Sequence, residues 1–329
     1  MLPGISGITG VVNIVPRTYT KPETSWEVEY GSFESYRAHL AHGGKAGNVS
    51  YSLGVDTPHT DGPDGRNAAE RMSNFNGSVR WDISPKLTVR TSLFHIDGKR
   101  QLTLAKPPAT DALQNDLSSF DPTRTTFATL RTQYRAGGDT STDVLVYYAD
   151  RDNHYASITG TGVSNVREWD FEWGMNAVQS YGLSTNNTIR AGIYYNRWVA
   201  PNGARFYVGR KCDLETMSFA VVDEHRMGAL TLDAGLRRSR TYVHDYGGFN
   251  IDGTAKGFGK VEPITDEWEP VRLDASLGAS YYLNPAISLH ANAVAGTVKP
   301  REGTLDNDGS KPGDESRIKL DAGVRVTAN

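Results

Sequence analysis

Between Asn74 and Ser84 apolar and polar residues take turns without a miss. Phe75, Gly77, Val79, Trp81 and Ile83 fall on one parity, and Asn74, Asn76, Ser78, Arg80 and Asp82 on the other. A period of two belongs to a strand whose successive side chains point to opposite faces, so this segment has one dry face and one charged face. The pattern returns along the chain. Leu87, Val89, Thr91 and Leu93 alternate with Thr88, Arg90 and Ser92, and Trp169, Phe171, Trp173, Met175 and Ala177 alternate with Asp170, Glu172, Gly174 and Asn176. Val271 to Tyr281 and Ile318 to Val326 repeat it. A two-layer soluble core would not favour a charged parity as regular as the apolar one. An all-β, antiparallel, up-and-down transmembrane β-barrel with a wet interior accounts for both.

The connections carry a second signal, because short and long ones alternate. The short ones are Gly43 to Asn48, Ser84 to Lys86, Gly137 to Thr142, Ser184 to Asn187, Arg226 to Ala229 and Asn284 to Ala286. Between them fall long polar stretches: Thr57 to Arg71, Asp97 to Pro122, Asn153 to Arg167, Ala200 to Asp213, Gly247 to Pro270 and Pro300 to Asp314. Up-and-down strands put every second connection on the same rim, so one rim is trimmed and the other elaborated. Outer-membrane barrels share this asymmetry.

Composition is consistent with such a barrel. Only 38% of residues are hydrophobic and the mean hydropathy is -0.49, which excludes a helical membrane protein but not a barrel with polar lumen and loops. No apolar run approaches the roughly 18 residues of a spanning helix. Trp81, Tyr134, Trp169, Tyr181, Trp198 and Tyr281 sit near strand ends, where a barrel carries its aromatic girdles; cross-strand packing is the alternative for each. The net charge of -3 provides no basic footprint for nucleic acid. Cys212 is the only cysteine, which excludes an intrachain disulfide and a cysteine-ligated zinc. Met1-Leu2-Pro3-Gly4 has neither the basic nor the apolar region of an export signal, so the expectation is a chain truncated at its front.

The opening residues Ser6 to Arg17, with Gly10, Val11, Val12, Asn13, Ile14 and Val15 at their centre, resemble the end of the plug domain of TonB-dependent outer-membrane receptors. Trp26 to Phe33, Tyr36-Arg37, Gly43-Gly44 and Tyr51 to Leu53 are similar to the first three barrel strands of that family. Asn76-Gly77 with Trp81 to Ser84 resembles the fourth. Arg272 to Gly278, Val298 to Pro300 and Glu315 to Arg325 resemble later strands, with Asp314 in place of the family's proline and Asp321-Ala322 in place of Glu-Leu. The resemblance implies that 1–20 is a remnant of the plug and 21–329 the barrel. Members have about 22 strands around a plugged lumen, whereas about 14 are counted here. The chain therefore reads as an incomplete barrel segment: the last plug strand and two-thirds of a barrel.

What the resemblance implies for function is uptake of a scarce, large solute, most often an iron-siderophore complex. The partners it implies are outer-membrane lipid, a ferric chelate, and the TonB complex acting through the parent's N-terminus. No cofactor is expected. The outer membrane of a Gram-negative bacterium is the implied location. Ligand capture is expected from long loops on a rigid scaffold. Phe206, Tyr207, Arg210 and Lys211, with Tyr242, His244 and Tyr246, combine flat aromatic surface with cationic or polar tips suited to an aromatic or anionic chelate, and loop packing is the competing role.

Catalytic signatures are poor. There is no GxSxG, HExxH or Walker loop, and Gly257 to Val261 lacks the hydroxyl residue and spacing of a phosphate cradle. His39 and His42 have opposite strand parity, so no metal pair forms there. Two alternatives stand beside the receptor: a passive pore or fatty-acid-type transporter closing at about 14 strands, and a barrel enzyme.

Overall fold

The protein is seen in a computed structural model that describes residues 18–104, 117–159, 162–203, 211–249, 260–300, 304–306 and 310–327. The described residues form strands and no helix. These are β1 (Glu23–Tyr30), β2 (Tyr36–Ala46), β3 (Val49–Thr60), β4 (Glu70–Ser84), β5 (Leu87–Gln101), β6 (Leu117–Gly137), β7 (Thr140–Thr159) and β8 (Gly162–Ser184). They continue as β9 (Asn187–Ala200), β10 (Cys212–Met227), β11 (Leu230–Phe249), β12 (Lys260–Trp268), β13 (Arg272–Asn284), β14 (Ile287–Val298), β15 (Thr304–Leu305) and β16 (Glu315–Val326).

All belong to one antiparallel sheet whose main path follows chain order. The main path runs from β1 through β11 to β13, β14 and β16, so the sheet has 14 strand positions, as the periodicity predicts. β12 pairs with the far half of β11, from Tyr242 opposite Trp268 to Phe249 opposite Val261, while β13 pairs with the near half, from Leu230 opposite Tyr281 to Ser239 opposite Arg272. β12 and β13 are thus two pieces of one strand position.

The six short connections are all two-residue turns, built in two ways. Gly47, Gly138 and Gly228 adopt positive φ of 59°, 55° and 60°, which glycine reaches without steric cost. The other three turns use a side chain. Ser84 Oγ accepts from the Leu87 amide at 3.1 Å, Asn284 Oδ1 from the Ile287 amide at 2.9 Å, and Ser184 Oγ from the Asn186 amide at 3.2 Å.

The opposite rim differs from the sequence expectation. Asn153 to Arg167 is not a loop: β7 continues to Thr159 and β8 resumes at Gly162, paired along the whole length. The other long stretches are shortened in the same way, with β5 reaching Gln101 and β6 starting at Leu117. Where both strand faces are wet, alternation disappears from the sequence while backbone pairing continues.

No second layer covers the apolar parity, because every described element belongs to the same sheet. Among the described residues only nine apolar ones are buried, too few for the core of a soluble two-layer fold of this size. Leu277, Ile193, Phe219 and Leu236 remain between 51% and 65% exposed. The edge of β1 away from β2 and the edge of β16 away from β14 have no strand partner among the described residues, so the sheet is an open arc.

Candidate functional site

The charged parity carries the polar chemistry. Arg80 Nε donates to Asp82 at 2.9 Å and the Thr88 hydroxyl to the same carboxylate at 2.8 Å. Arg131 bonds Asp143 at 2.9 Å, joined by Gln133 at 2.8 Å. Further along lie Arg151 with Asp170, Tyr147 with Glu172, and Arg190 with Glu224. Trp198 sits on this face, its indole donating to Asp170 at 2.7 Å, so it is not part of a girdle. Each exposed pair is worth roughly 0–1 kcal/mol; together they make a wet wall with few uncompensated charges.

The apolar parity shows where hydrocarbon ends. Trp81, Tyr134, Tyr181 and Tyr281 lie exposed near the two-residue turns, as one aromatic girdle requires. At the other side, Asp97, Asp150 and Arg197 are each the eleventh residue of their strand, counted from Leu87, Thr140 and Asn187, while β11 brings in Arg238 as its ninth. A tilted barrel strand crosses hydrocarbon in about 9–11 residues. Three strands thus place their first charge on this face at the same height and β11 one step earlier, while β10 departs from the pattern with Asp223, opposite Ile189 near the turn rim.

Just above this line a second set of rings and ions gathers. Trp169 donates to Asp150 at 3.2 Å, and Arg167 lies 5.3 Å over the Trp169 ring. Asp152 accepts from Arg167 Nε at 2.8 Å and Nη2 at 2.9 Å, with His154 at 3.6 Å. The Arg167 bonds, outweighing burial, hold the Asp152 carboxyl below its usual range. A depressed folded-state pKa adds stability above about pH 4 that is lost as pH falls through it. Asp152→Asn should therefore cost under about 1 kcal/mol at pH 7 and should flatten the acid limb of a denaturant-midpoint profile below about pH 5. An acid limb identical to that of the native chain would contradict this.

The sequence candidates distribute as follows. Phe206, Tyr207 and Arg210, and the plug-end residues Gly10, Val11, Val12, Asn13, Ile14 and Val15, lie outside the described residues. Lys211 pairs with Asp213 at 3.0 Å. Tyr242 and His244 form a ring contact of 4.7 Å, Tyr242 also meets Trp268 at 4.9 Å, and His244 pairs with Glu215 at 3.2 Å. Tyr242 stands opposite Glu215 and Glu215 opposite Arg197, which puts this group on the dry-face parity above the hydrocarbon line. Tyr246 is buried with Ala200, Cys212, Val243 and Ile264. That small core is made possible by the bulge between Asp213 and Leu214, a non-local feature with no sequence signal.

One functional contact was not legible in the sequence. Thr18 and Tyr19, leading into β1, lie on the charged face: Arg90 Nη2 donates to Thr18 Oγ1 at 3.1 Å, and the Tyr19 ring fills the space a side chain at Gly43 would need. Thr18 and Tyr19 therefore lie along the wet side of the sheet. On the dry side, Leu232, Ala234, Leu277, Ala279 and Leu320 line an apolar concavity of about 940 Å³, as expected of a twisted, saddle-shaped sheet.

This two-faced arc has close structural counterparts. The closed form of the ferric-catecholate import receptor Fiu from E. coli K12 superposes with a TM-score of 0.71 at 13% identity over 98% of this chain and 58% of that one. The alcaligin outer-membrane receptor FauA from Bordetella pertussis gives 0.68 at 12% over 94% and 49%. The copper transporter OprC gives 0.69 at 11% over 96% and 54%. The fold is the barrel fold of TonB-dependent outer-membrane receptors. The chain spans about half the length of the receptors it matches. No family model and no curated protein matches the sequence.

Proposed function

We propose that this chain is the barrel segment of a TonB-dependent receptor in the outer membrane of a Gram-negative bacterium, importing a scarce, large solute, with an iron-siderophore complex the foremost candidate. The observation that carries the proposal is the sheet's division into a largely apolar, uncovered face and a face that carries most of the charge. The likeness to receptors and transporters for ferric-catecholate, alcaligin and copper supports this reading of the solute. Residues 1–20 would complete a plug and 21–329 would supply barrel strands. The wet-side course of Thr18 and Tyr19 supports that division. Further strands would meet the open edges of β1 and β16, since unpaired backbone groups in lipid cost several kcal/mol each.

Capture would fall to the elaborated rim, where Phe206, Tyr207, Arg210 and Lys211 lie in the connection after β9 and Tyr242, His244 and Tyr246 on the far half of β11. Import would follow plug rearrangement driven by the TonB complex. A non-enzymatic role agrees with the absence of a catalytic signature in the sequence. A passive pore closing at 14 strands would pair β1 with β16, and they are not paired among the described residues.

The test is uptake. Deleting the encoding gene should lower accumulation of at least one radiolabelled ferric chelate by about tenfold or more, with a matching loss when TonB is removed. Unchanged uptake across a chelate panel, or steady TonB-independent conductance of the purified protein in planar bilayers, would refute the receptor reading.

A further inference from the structure

Asp223 interrupts the apolar parity of β10 after Met217, Phe219 and Val221. It stands opposite Ile189 on one side and Ala234 on the other, and Ile189 stands opposite the girdle residue Tyr181. The carboxylate is therefore at headgroup level, where such rings sit. Asn187 Nδ2 donates to it at 2.7 Å and to His225 Nδ1 at 3.2 Å. No Lys or Arg lies within 4 Å of Asp223 among the described residues. Both flanking strands are in place, and a strand added beside β16 would stand five strand positions from β10, about 24 Å along the sheet. Extending the sheet would not bring a cation to Asp223.

Asp223 and His225 border the apolar concavity of about 940 Å³. Its floor is thin, with Ala279 opposite Ala291 and Ala291 opposite Ala322, and Leu277 and Leu320 rise along the next row. Asp223 is the fifth residue back from the end of β10 at Met227. On the same register row Leu277 is the eighth from Asn284 and Ala293 the seventh from Ile287. The trough thus runs from headgroup level beside Asp223 toward the bilayer midplane.

We propose that this trough holds one phospholipid with a primary ammonium headgroup, in the leaflet beside the two-residue turns. The ammonium supplies Asp223 with its counter-charge through charge-assisted hydrogen bonds. His225, accepting from Asn187 at Nδ1, carries its proton on Nε2 and donates it to the lipid phosphate. An acyl chain lies over the alanines. An anionic headgroup would meet the Asp223 charge, and a second barrel wall would leave part of the trough void and forfeit packing contacts that a flexible chain makes. The inference rests on the apolar face meeting lipid and is independent of the imported solute.

The probe is an equimolar mixture of phosphatidylethanolamine, phosphatidylcholine and phosphatidylglycerol with identical acyl chains. It is offered in mixed micelles to the full 329-residue chain refolded in detergent, and retained lipid is read by native mass spectrometry. Phosphatidylethanolamine should be retained over each of the others by about fivefold, the upper range for one exposed ion pair. Phosphatidylcholine keeps the charge but lacks the N–H donors. Asp223→Asn should remove the preference, whereas Asp274→Asn, the same charge change on the wet face opposite Arg237, should leave it intact. Ala291→Leu should lower retention of all three lipids by filling the trough. Lipid retained with no headgroup preference, or a preference that survives Asp223→Asn, would overturn this site alone. A dimer that Ala291→Leu dissociates would assign the trough to a second copy and overturn it too. No retained lipid of any kind would overturn the membrane reading along with it.

Discussion

Asp213→Asn should destabilise the chain by about 2–3 kcal/mol, measured by urea unfolding in detergent with tryptophan emission as the readout. Asp213 is only 2% exposed and accepts two bonds from Arg197, at 2.8 and 2.9 Å, and one from Lys211. Burial pushes this carboxyl up, but Arg197 and Lys211 more than offset it and hold it below its usual range. The amide keeps the shape, removes the charge, and leaves two cations facing a neutral group. Breaking a fully buried pair costs about 3–5 kcal/mol; Arg197 and Lys211 are 35% and 48% exposed, so water recovers part of that. Lys211→Met should cost under about 1 kcal/mol, because Arg197 still pairs with the acid. The bulge at Asp213 and Leu214 also seats Cys212 and Tyr246 in the small core beside it, so the loss should appear first in Trp198, which packs there. A change below about 0.5 kcal/mol for Asp213→Asn would mean that packing alone holds this corner.

The strands inside the hydrocarbon were legible because lipid on one side and water on the other impose a period of two. Val79, Trp81 and Ile83 against Arg80 and Asp82 could be placed without knowing what they pair with. The two-residue turns were legible for a similar reason, since Gly47, Gly138 and Gly228 or the short polar side chains of Ser84, Ser184 and Asn284 act on their own backbone. Above the membrane the two-sided solvent contrast is absent, so β7 and β8 between Asn153 and Arg167 read as loop although they pair throughout. Trp198 was misplaced because proximity to a strand end does not reveal which face a ring occupies. The trough beside Asp223 depends on register across β10, β11, β13, β14 and β16, and no single segment encodes that register. The rim is legible in composition and opaque in geometry: Tyr242, His244 and Tyr246 share one short segment, yet the first two meet at the dry-face parity and the third is buried.

Putting an arginine on each face at nearly one height separates a membrane barrel from any soluble sheet. Ile193 lies on the dry parity of β9, 56% exposed, and pairs with Ala177; Asn176, one register step away on β8, pairs with Tyr194 on the wet parity. Ile193→Arg should cost about 2–4 kcal/mol when the protein is folded in lipid vesicles, the range for arginine near the bilayer midplane. The cost should shrink toward about 1 kcal/mol in detergent, where a thinner, more deformable apolar layer lets the side chain reach water. Asn176→Arg faces the watery bore in both media, so it should stay within about 0.5 kcal/mol. If the apolar parity instead faced water, Ile193→Arg would be as neutral as any exposed substitution. If it packed against another layer, the penalty would persist unchanged from vesicle to detergent. Only hydrocarbon contact makes the cost depend on the amphiphile, and that dependence is the decisive reading of the pair.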